Sequence, residues 1–528
     1  MPYMNRPAPE NRSILKDNLL SKDFRDLFVS SVLFILSFPP SPFGFLIYFA
    51  FIPLFSLSTR KNAAAMTGLT YLTGLTVNWV LLSWIIPYSF PKFTLLATLN
   101  AAQFALLGWW LGCGFKYLKY KNVLFFPFIW TGLEHLRGMG DLAYNWLDIS
   151  NTQTNFLYVI QMADTGGSDL LVFWICVLNV LIWFAWRSRE GLLPSKRYIS
   201  AITILVMIPL FYGSFTIGKI ETLPGFRVHI FQPDTDPVVK WDPEQQKKIY
   251  HDLIIWTRGK QNTDPADLLV WPETAIPFEL RNFPEYLDQL GRFDVPLLTG
   301  VMDFSYRSGH KHRHNAVFAF GQDSLQVYHK LRPVPVEEVI PYQRLFPALQ
   351  RQAVYDRYLS PGISVRPLQL TISSMINLRT KGDWWQPEEF AGRAQPVMIG
   401  PSICFEVAFH DPAREQVMAG ADVHLVVTND AWFGYSHQPF QHLNIARLRA
   451  VETRRSVIFC ANSGFSAFID HRGRIAGRTN LFERMVSSRM IPVNRSESFY
   501  LRTGNWVAVV SLLGIIFWGA MVLKRIFV

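Results

Sequence analysis

The sequence predicts two structural parts: an α-helical membrane bundle of about eight transmembrane helices, and an α/β domain of about 275 residues ahead of the last one. Three observations carry that prediction. Half of the 528 residues are hydrophobic and only 17% are charged, with 42 Phe and 17 Trp, a balance that favours a membrane protein. Apolar runs lie at roughly 27–39, 43–58, 63–86, 93–115, 123–136, 168–186, 199–217 and 503–523, to be judged against the length that spans a bilayer. Between 222 and 495 the pattern changes, and strand-like runs of four to eight residues alternate with helical stretches and turn signals.

Length and charge narrow the classes further. A chain this long exceeds one ordinary core. Its net charge of +11 comes mainly from Lys and Arg beside apolar segments, with no basic stripe interleaved with aromatics, so no nucleic-acid partner is expected. Four cysteines at wide spacing (Cys113, Cys176, Cys404, Cys460) form neither a disulfide framework nor a zinc pattern. No phosphate loop, dinucleotide fingerprint or Ser-His-Asp signature stands out, and no cofactor or metal is expected.

Taken in order, residues 1–26 read as a polar tail without a signal-peptide cleavage site, followed by a bundle of about seven helices over 27–217. The runs 63–86, 93–115 and 503–523 contain no Asp, Glu, Lys or Arg and read as spans. The runs 27–39 and 43–58 are short, with the uncharged PPSPFG between them, and form either a helical hairpin or two tilted spans. Lys and Arg in alternate short loops number sixteen against two, which places both termini in the cytoplasm and residues 218–500 on the far side. In that domain FRVHIFQPD is the first strand, and a helix follows around PEQQKKIYHDLIIWTRG. Further strands are read at LLVWPE, PLLTGVMDF, NAVFAF, QVYHKL, VMIGPSICFE, VHLVVTNDAWFG, SVIFCANSG and SAFID, with a helix at about 437–454. The aromatic segment 343–393, with LFPAL at 345–349 and DWW at 383–385, fits no regular element and reads as a lid or membrane-facing loop set. Residues 501–528 supply the C-terminal span.

Chemistry concentrates at PSICFEVAFHDP. An apolar strand there ends in Cys404 at a strand-to-helix corner, where amide groups favour a thiolate and a developing oxyanion. A lone free cysteine is as often a core residue, but Glu406 two residues on is uncommon in a plain core. Glu273 in WPET and Lys330 in QVYHK also end strands, where a charge needs a partner or a role. Thiol, base and cation are the parts of acyl transfer by a thiol nucleophile.

Glu273, Lys330 and Cys404, in that chain order on three strand ends, resemble the nitrilase superfamily. With the membrane segments, the sequence is identified as a member of the apolipoprotein N-acyltransferase family. The resemblance covers nearly the whole chain and implies an extracytoplasmic α-β-β-α sandwich. It assigns Glu273 as general base, Lys330 as oxyanion stabiliser and Cys404 as the thioester-forming nucleophile. Glu338 takes the second glutamate of the family's motif, in VPVEE, where Glu337 stands at a site often held by glycine. Glu406 matches the glutamate of a Cys-Tyr-Glu motif, and Phe405 replaces its tyrosine. Trp241 in VKWDP and the NDAWFG loop (429–434) also match. The implied reaction moves an acyl chain from a glycerophospholipid such as phosphatidylethanolamine to the α-amine of a lipoprotein's diacylglyceryl-cysteine. The implied location is the bacterial inner membrane, with the catalytic domain in the periplasm. Two alternatives are a membrane-tethered C–N hydrolase using water, and a non-catalytic lipid or lipoprotein binder.

Other residues carry a bland and a functional reading side by side. Cys460 is core packing, or a disulfide partner of Cys404. Cys113 and Cys176 lie in apolar segments. His310, His312 and His314 are a solvated hairpin tip, or share one strand face and bind metal. Glu134 and Arg137 are an interfacial ion pair, or functional groups at a membrane segment's end.

Overall fold

A computed structural model describes residues 22–188, 195–307, 309–321, 325–342, 345, 358–388 and 392–527. Most of the expected tail (1–26) and much of the 343–393 segment, including nearly all of LFPAL, lie outside the described residues.

Every apolar run coincides with helical structure. These elements are α1 (Lys22–Ser37), α2 (Ile52–Ser58), α3 (Ala63–Leu81), α4 (Phe90–Leu118), α5 (Phe126–Arg137), α6 (Ala163–Arg187), α7 (Ser195–Gly218) and the C-terminal helix Trp506–Phe527. The 43–58 run is broken: a 3-10 turn, Gly44–Tyr48, precedes the seven-residue α2. Among the described residues, four helical stretches are long and apolar enough to cross a membrane: Phe90–Arg137, Ala163–Arg187, Lys196–Gly218 and Trp506–Phe527. Small residues let α3 and α4 approach closely, as membrane helices do. A Cβ on Gly108 would sit 2.0 Å from the Thr70 hydroxyl, so a larger residue would force the pair apart.

The second part is built on β1 (Thr222–Gln232), β2 (Leu268–Val270), β3 (Ile276–Glu279), β4 (Leu297–Arg307), β5 (His310–Phe320), β6 (Leu325–His329), β7 (Leu368–Lys381), β8 (Trp384–Pro387), β9 (Arg393–Ile403), β10 (Val423–Thr428), β11 (Ser456–Ala461), β12 (Ala467–Ile469), β13 (Ile475–Ala476) and β14 (Met485–Pro492). Strand order is β13-β12-β11-β10-β9-β7-β1-β2-β4-β5-β6, with β14 on β1, β3 on β4 and β8 on β7. Its halves fold face to face. Val228 and Ile230 of β1, Val270 of β2 and Val317 of β5 share one core with Val397 of β9, Leu425 of β10 and Ile458 of β11.

Strand alternation assigns the outer faces. Phe231, Leu269 and Trp271 point the other way, onto α8 (Pro243–Thr263) and α9 (Pro284–Gly291). Val426, Val457 and Phe459 face α11 (Gln438–Thr453), in a core continuous with the membrane helices. With α10 (His410–Met418) beside α11, the layers run α-β-β-α.

The 343–393 reading needs correcting. Residues 368–381 form the 14-residue strand β7, and Trp384 and Trp385 lie in β8, paired with it. A register shift between Ile372 and Met375 breaks the alternation that would have marked the strand.

Candidate active site

Three strand ends and two turns converge on one cavity of about 680 Å³. Glu273 follows β2, where Trp271 is anchored by its indole N–H donating to Thr257 Oγ1 (3.0 Å). The chain then turns sharply, with Thr274 at φ +44°. Gly300 on neighbouring β4 permits that turn, because a Cβ there would lie 2.6 Å from the Glu273 Cα. Asn315 Nδ2 donates to Glu273 Oε1 (2.7 Å), and Lys240 Nζ donates to the Glu273 carbonyl (2.9 Å).

Lys330 leaves β6 with its Nζ 2.8 Å from Glu338 and 3.9 Å from Glu273 Oε1. Glu338 also accepts the Val334 amide (2.7 Å), which fixes the tight loop carrying it. Cys404 begins the 3-10 turn Cys404–Ala408 immediately after β9, at φ +53°. A non-glycine residue in the left-handed region stores strain, which the surroundings must offset.

Glu406 supplies that support. Its Oε2 accepts the Ile403 amide (2.7 Å), and its Oε1 accepts the amides of Leu331 (2.6 Å) and Arg332 (3.0 Å) and the Tyr328 hydroxyl (3.1 Å). One buried carboxylate thereby ties the cysteine turn to the backbone after Lys330.

Burial and charge set the protonation states. Burial pushes the Glu273 carboxyl above its ordinary value, Lys330 opposes that, and Glu338 adds to it. Burial works against charge on Lys330, but the carboxylates of Glu338 and Glu273 outweigh it and hold its pKa above the usual lysine value. Burial, then the Glu273 charge, pushes the Cys404 thiol up, with Lys330 opposing. Lys240 is drawn down by burial to about 8. A thiol of this kind reacts only when a base takes its proton at the moment of attack. Carboxylate, ammonium and thiol on one cavity can form and resolve a thioester.

Phe405 packs against the membrane part, its ring 5.8 Å from Tyr144 and 6.3 Å from Trp146, and against Phe409 of its own domain at 5.1 Å, centre to centre. Trp146 Nε1 also donates to Gln441 Oε1 (2.7 Å), and Trp84 meets Phe433 edge-on at 4.7 Å. Trp241, 42% exposed, stands at the cavity wall. Glu337 is held by the Tyr88 hydroxyl and the Lys92 ammonium. Sequence reasoning missed Asn315, Lys240, the Tyr144–Trp146 loop and the Asp430–His442 pair. Only Asp430, within NDAWFG, stood inside a motif already singled out.

The remaining candidates are held by local contacts, and Arg137 also lines the cavity. Cys404 and Cys460 are both free thiols, and Cys460 is buried between the sheets. The histidines lie on the β4–β5 hairpin, where His312 Nδ1 meets Ser360 Oγ at 2.9 Å and His314 Nε2 meets Ser305 Oγ at 2.8 Å. Arg137 pairs with Asp148 (2.6 Å), while Glu134 accepts the Trp130 indole N–H (3.0 Å) and the Ile149 amide (3.2 Å).

The sandwich and its thiol cavity are those of a carbon–nitrogen hydrolase-type domain: the family model described as carbon-nitrogen hydrolase matches residues 227–500. The helical part matches the apolipoprotein N-acyltransferase N-terminal domain over residues 30–181. The chain belongs to the apolipoprotein N-acyltransferase family. It is 32% identical over 404 residues to an apolipoprotein N-acyltransferase of Chlorobaculum tepidum, covering 72% of each chain. It is 28% identical over 532 residues to one from Geobacter metallireducens, covering 96% of this chain and 97% of that one. Among solved structures, a carbon-nitrogen hydrolase from Helicobacter pylori aligns at 14% identity with a TM-score of 0.37, covering 54% of this chain and 94% of that one.

Proposed function

We propose that this protein transfers a fatty acyl chain from a glycerophospholipid such as phosphatidylethanolamine to the α-amine of a lipoprotein's diacylglyceryl-cysteine. The observation that carries this reading is the shared cavity. Glu273, Lys330 and Cys404 line it together with Leu95, Leu96 and Leu99 of the membrane helix α4. A phospholipid ester therefore meets the thiol while its chains stay in an apolar environment. Full extraction would expose those chains at about 0.8 kcal/mol per CH₂.

Glu273 takes the thiol proton as Cys404 Sγ attacks the ester carbonyl, and Lys330 faces the negative oxygen that forms. The C–O bond breaks, and the lysophospholipid leaves with the proton returned by Glu273. The acceptor amine then attacks the thioester and gives a proton to Glu273. The C–S bond breaks, and Cys404 recovers a thiol. Glu338 holds Lys330, Glu406 holds the nucleophile turn, and Trp241 and Phe405 shape the cavity wall.

In this reading about eight helices embed the chain in the inner membrane, with segments 27–217 and 501–528 in the bilayer and 218–500 on the periplasmic side. The positive bias of alternate loops supports that orientation. The test is transfer: detergent-purified protein with phosphatidylethanolamine and a diacylglyceryl peptide should add one acyl chain to the peptide amine. Release of free fatty acid with unmodified peptide would identify a hydrolase and contradict the proposal.

A further inference from the structure

His442, fully buried on α11, has an acceptor at both ring nitrogens. Nδ1 lies 3.0 Å from Asp430 Oδ1, and Nε2 lies 3.2 Å from the Cys404 carbonyl oxygen. The same Asp430 oxygen already accepts the Thr428 hydroxyl and the Gln438 amide, each at 2.9 Å. Several donors on one oxygen are the environment of an ionised carboxylate, and an ionised carboxylate only accepts. The nitrogen facing it must therefore carry a proton. A carbonyl oxygen also only accepts, so a proton on the second nitrogen would complete the contact to Cys404. The rings of Trp146 and Phe459, each centred 5.1 Å from the His442 ring, are within cation–π range.

The Cys404 carbonyl and the Phe405 N–H belong to one peptide group. Withdrawing electrons at the oxygen makes that N–H a stronger donor, because linked hydrogen bonds polarise one another. That N–H stands one residue from the sulfur on which the tetrahedral intermediate forms.

We propose that His442 is a positioning residue: held as an imidazolium by Asp430, it donates to the Cys404 carbonyl and strengthens the Phe405 amide as a donor to the oxyanion. The inference rests on the thioester reading above. Among the described residues, the groups facing the ring are Asp430 from the 3-10 turn Asp430–Phe433, Cys404 from its own turn, Gln438 from α11, Trp146 from the membrane-side loop and Phe459 from β11. Only Asp430 and the Cys404 thiol titrate.

The test is the pH profile of Cys404 acylation by a p-nitrophenyl ester, read as intact mass, which needs no phospholipid recognition. His442→Gln keeps a neutral donor and should acylate roughly tenfold slower at every pH, the step from a charge-assisted to a neutral hydrogen bond. Asp430→Asn should react near the wild-type rate at low pH and fall to the His442→Gln rate as pH rises through about 6–7, where an unassisted imidazole loses its proton. The double variant should lose that limb. An Asp430→Asn profile parallel to wild type would overturn the proposal. So would a His442→Ala variant with an unchanged melting temperature and the wild-type rate. A wild type acylated by the ester but not by phospholipid would reject the donor assignment and leave the His442 test standing.

Discussion

At the scale of single residues, the site depends on two buried carboxylates with different tasks. Glu406 accepts three backbone amides, so its charge is spent on holding Cys404 in a left-handed turn beside Lys330. Glu406→Gln turns an NH₂ toward those donors. Because unsatisfied buried groups cost about 1–3 kcal/mol, the variant should melt several degrees lower and form acyl-enzyme roughly 100-fold slower. Melting curves and mass spectra check both effects. Glu273 has a different task. Its pKa is raised by burial, and only the ionised form can take a proton, so activity should fall as pH drops through that raised value. The acid limb of the acylation profile should therefore lie above the ordinary carboxylate range, and Glu273→Gln should remove nearly all reaction. A limb at or below pH 4 would contradict this role.

Between elements, the decisive contact joins α11 to the start of α6. That helix breaks at Gly166 and Gly167, and the Ser168 amide donates to Glu452 Oε1 (2.7 Å). Glu452 also pairs with Arg449 at 3.1 Å. Burial disfavours its charge, but Arg449 and His410 prevail and hold its pKa at about 2. A depressed carboxylate stabilises the fold above its unfolded value, and that contribution is lost as pH falls toward the folded one. Docking of the two parts should therefore weaken between about pH 4.5 and 2, a loss visible as a falling melting temperature and absent in Glu452→Gln.

Strong patterns at this scale were legible in the sequence. WPET and PSICFE each place a charged or thiol group after an apolar run, QVYHK does so after an alternating one, and each is a strand end on the cavity. β7 was hidden because its bulge shifts the apolar period by one residue. Asn315 and His442 were hidden because a neutral amide within a strand and a histidine on an apolar helix face look like packing. The Tyr144–Trp146 loop carries no periodicity at all. It matters only through contacts with Phe405, more than 250 positions away, which no local pattern encodes.

For the whole molecule, one continuous core joins the thiol cavity to the apolar helical bundle. Lys330 links the levels, since its ammonium lies between the carboxylates of Glu338 and Glu273 on the cavity wall. Removing one partner of a buried pair is costly, about 3–5 kcal/mol. Lys330→Met, which keeps the bulk, is therefore expected to melt lower but remain helical by circular dichroism, with no acyl-enzyme formed. The most direct test of the central claim is the intact mass of purified protein incubated with phosphatidylethanolamine and no amine acceptor, beside Cys404→Ala. A hydroxylamine-labile gain of one acyl chain is expected in the wild type and none in the variant. An unchanged wild-type mass with lipid still bound, or an equal gain in Cys404→Ala, would contradict that claim.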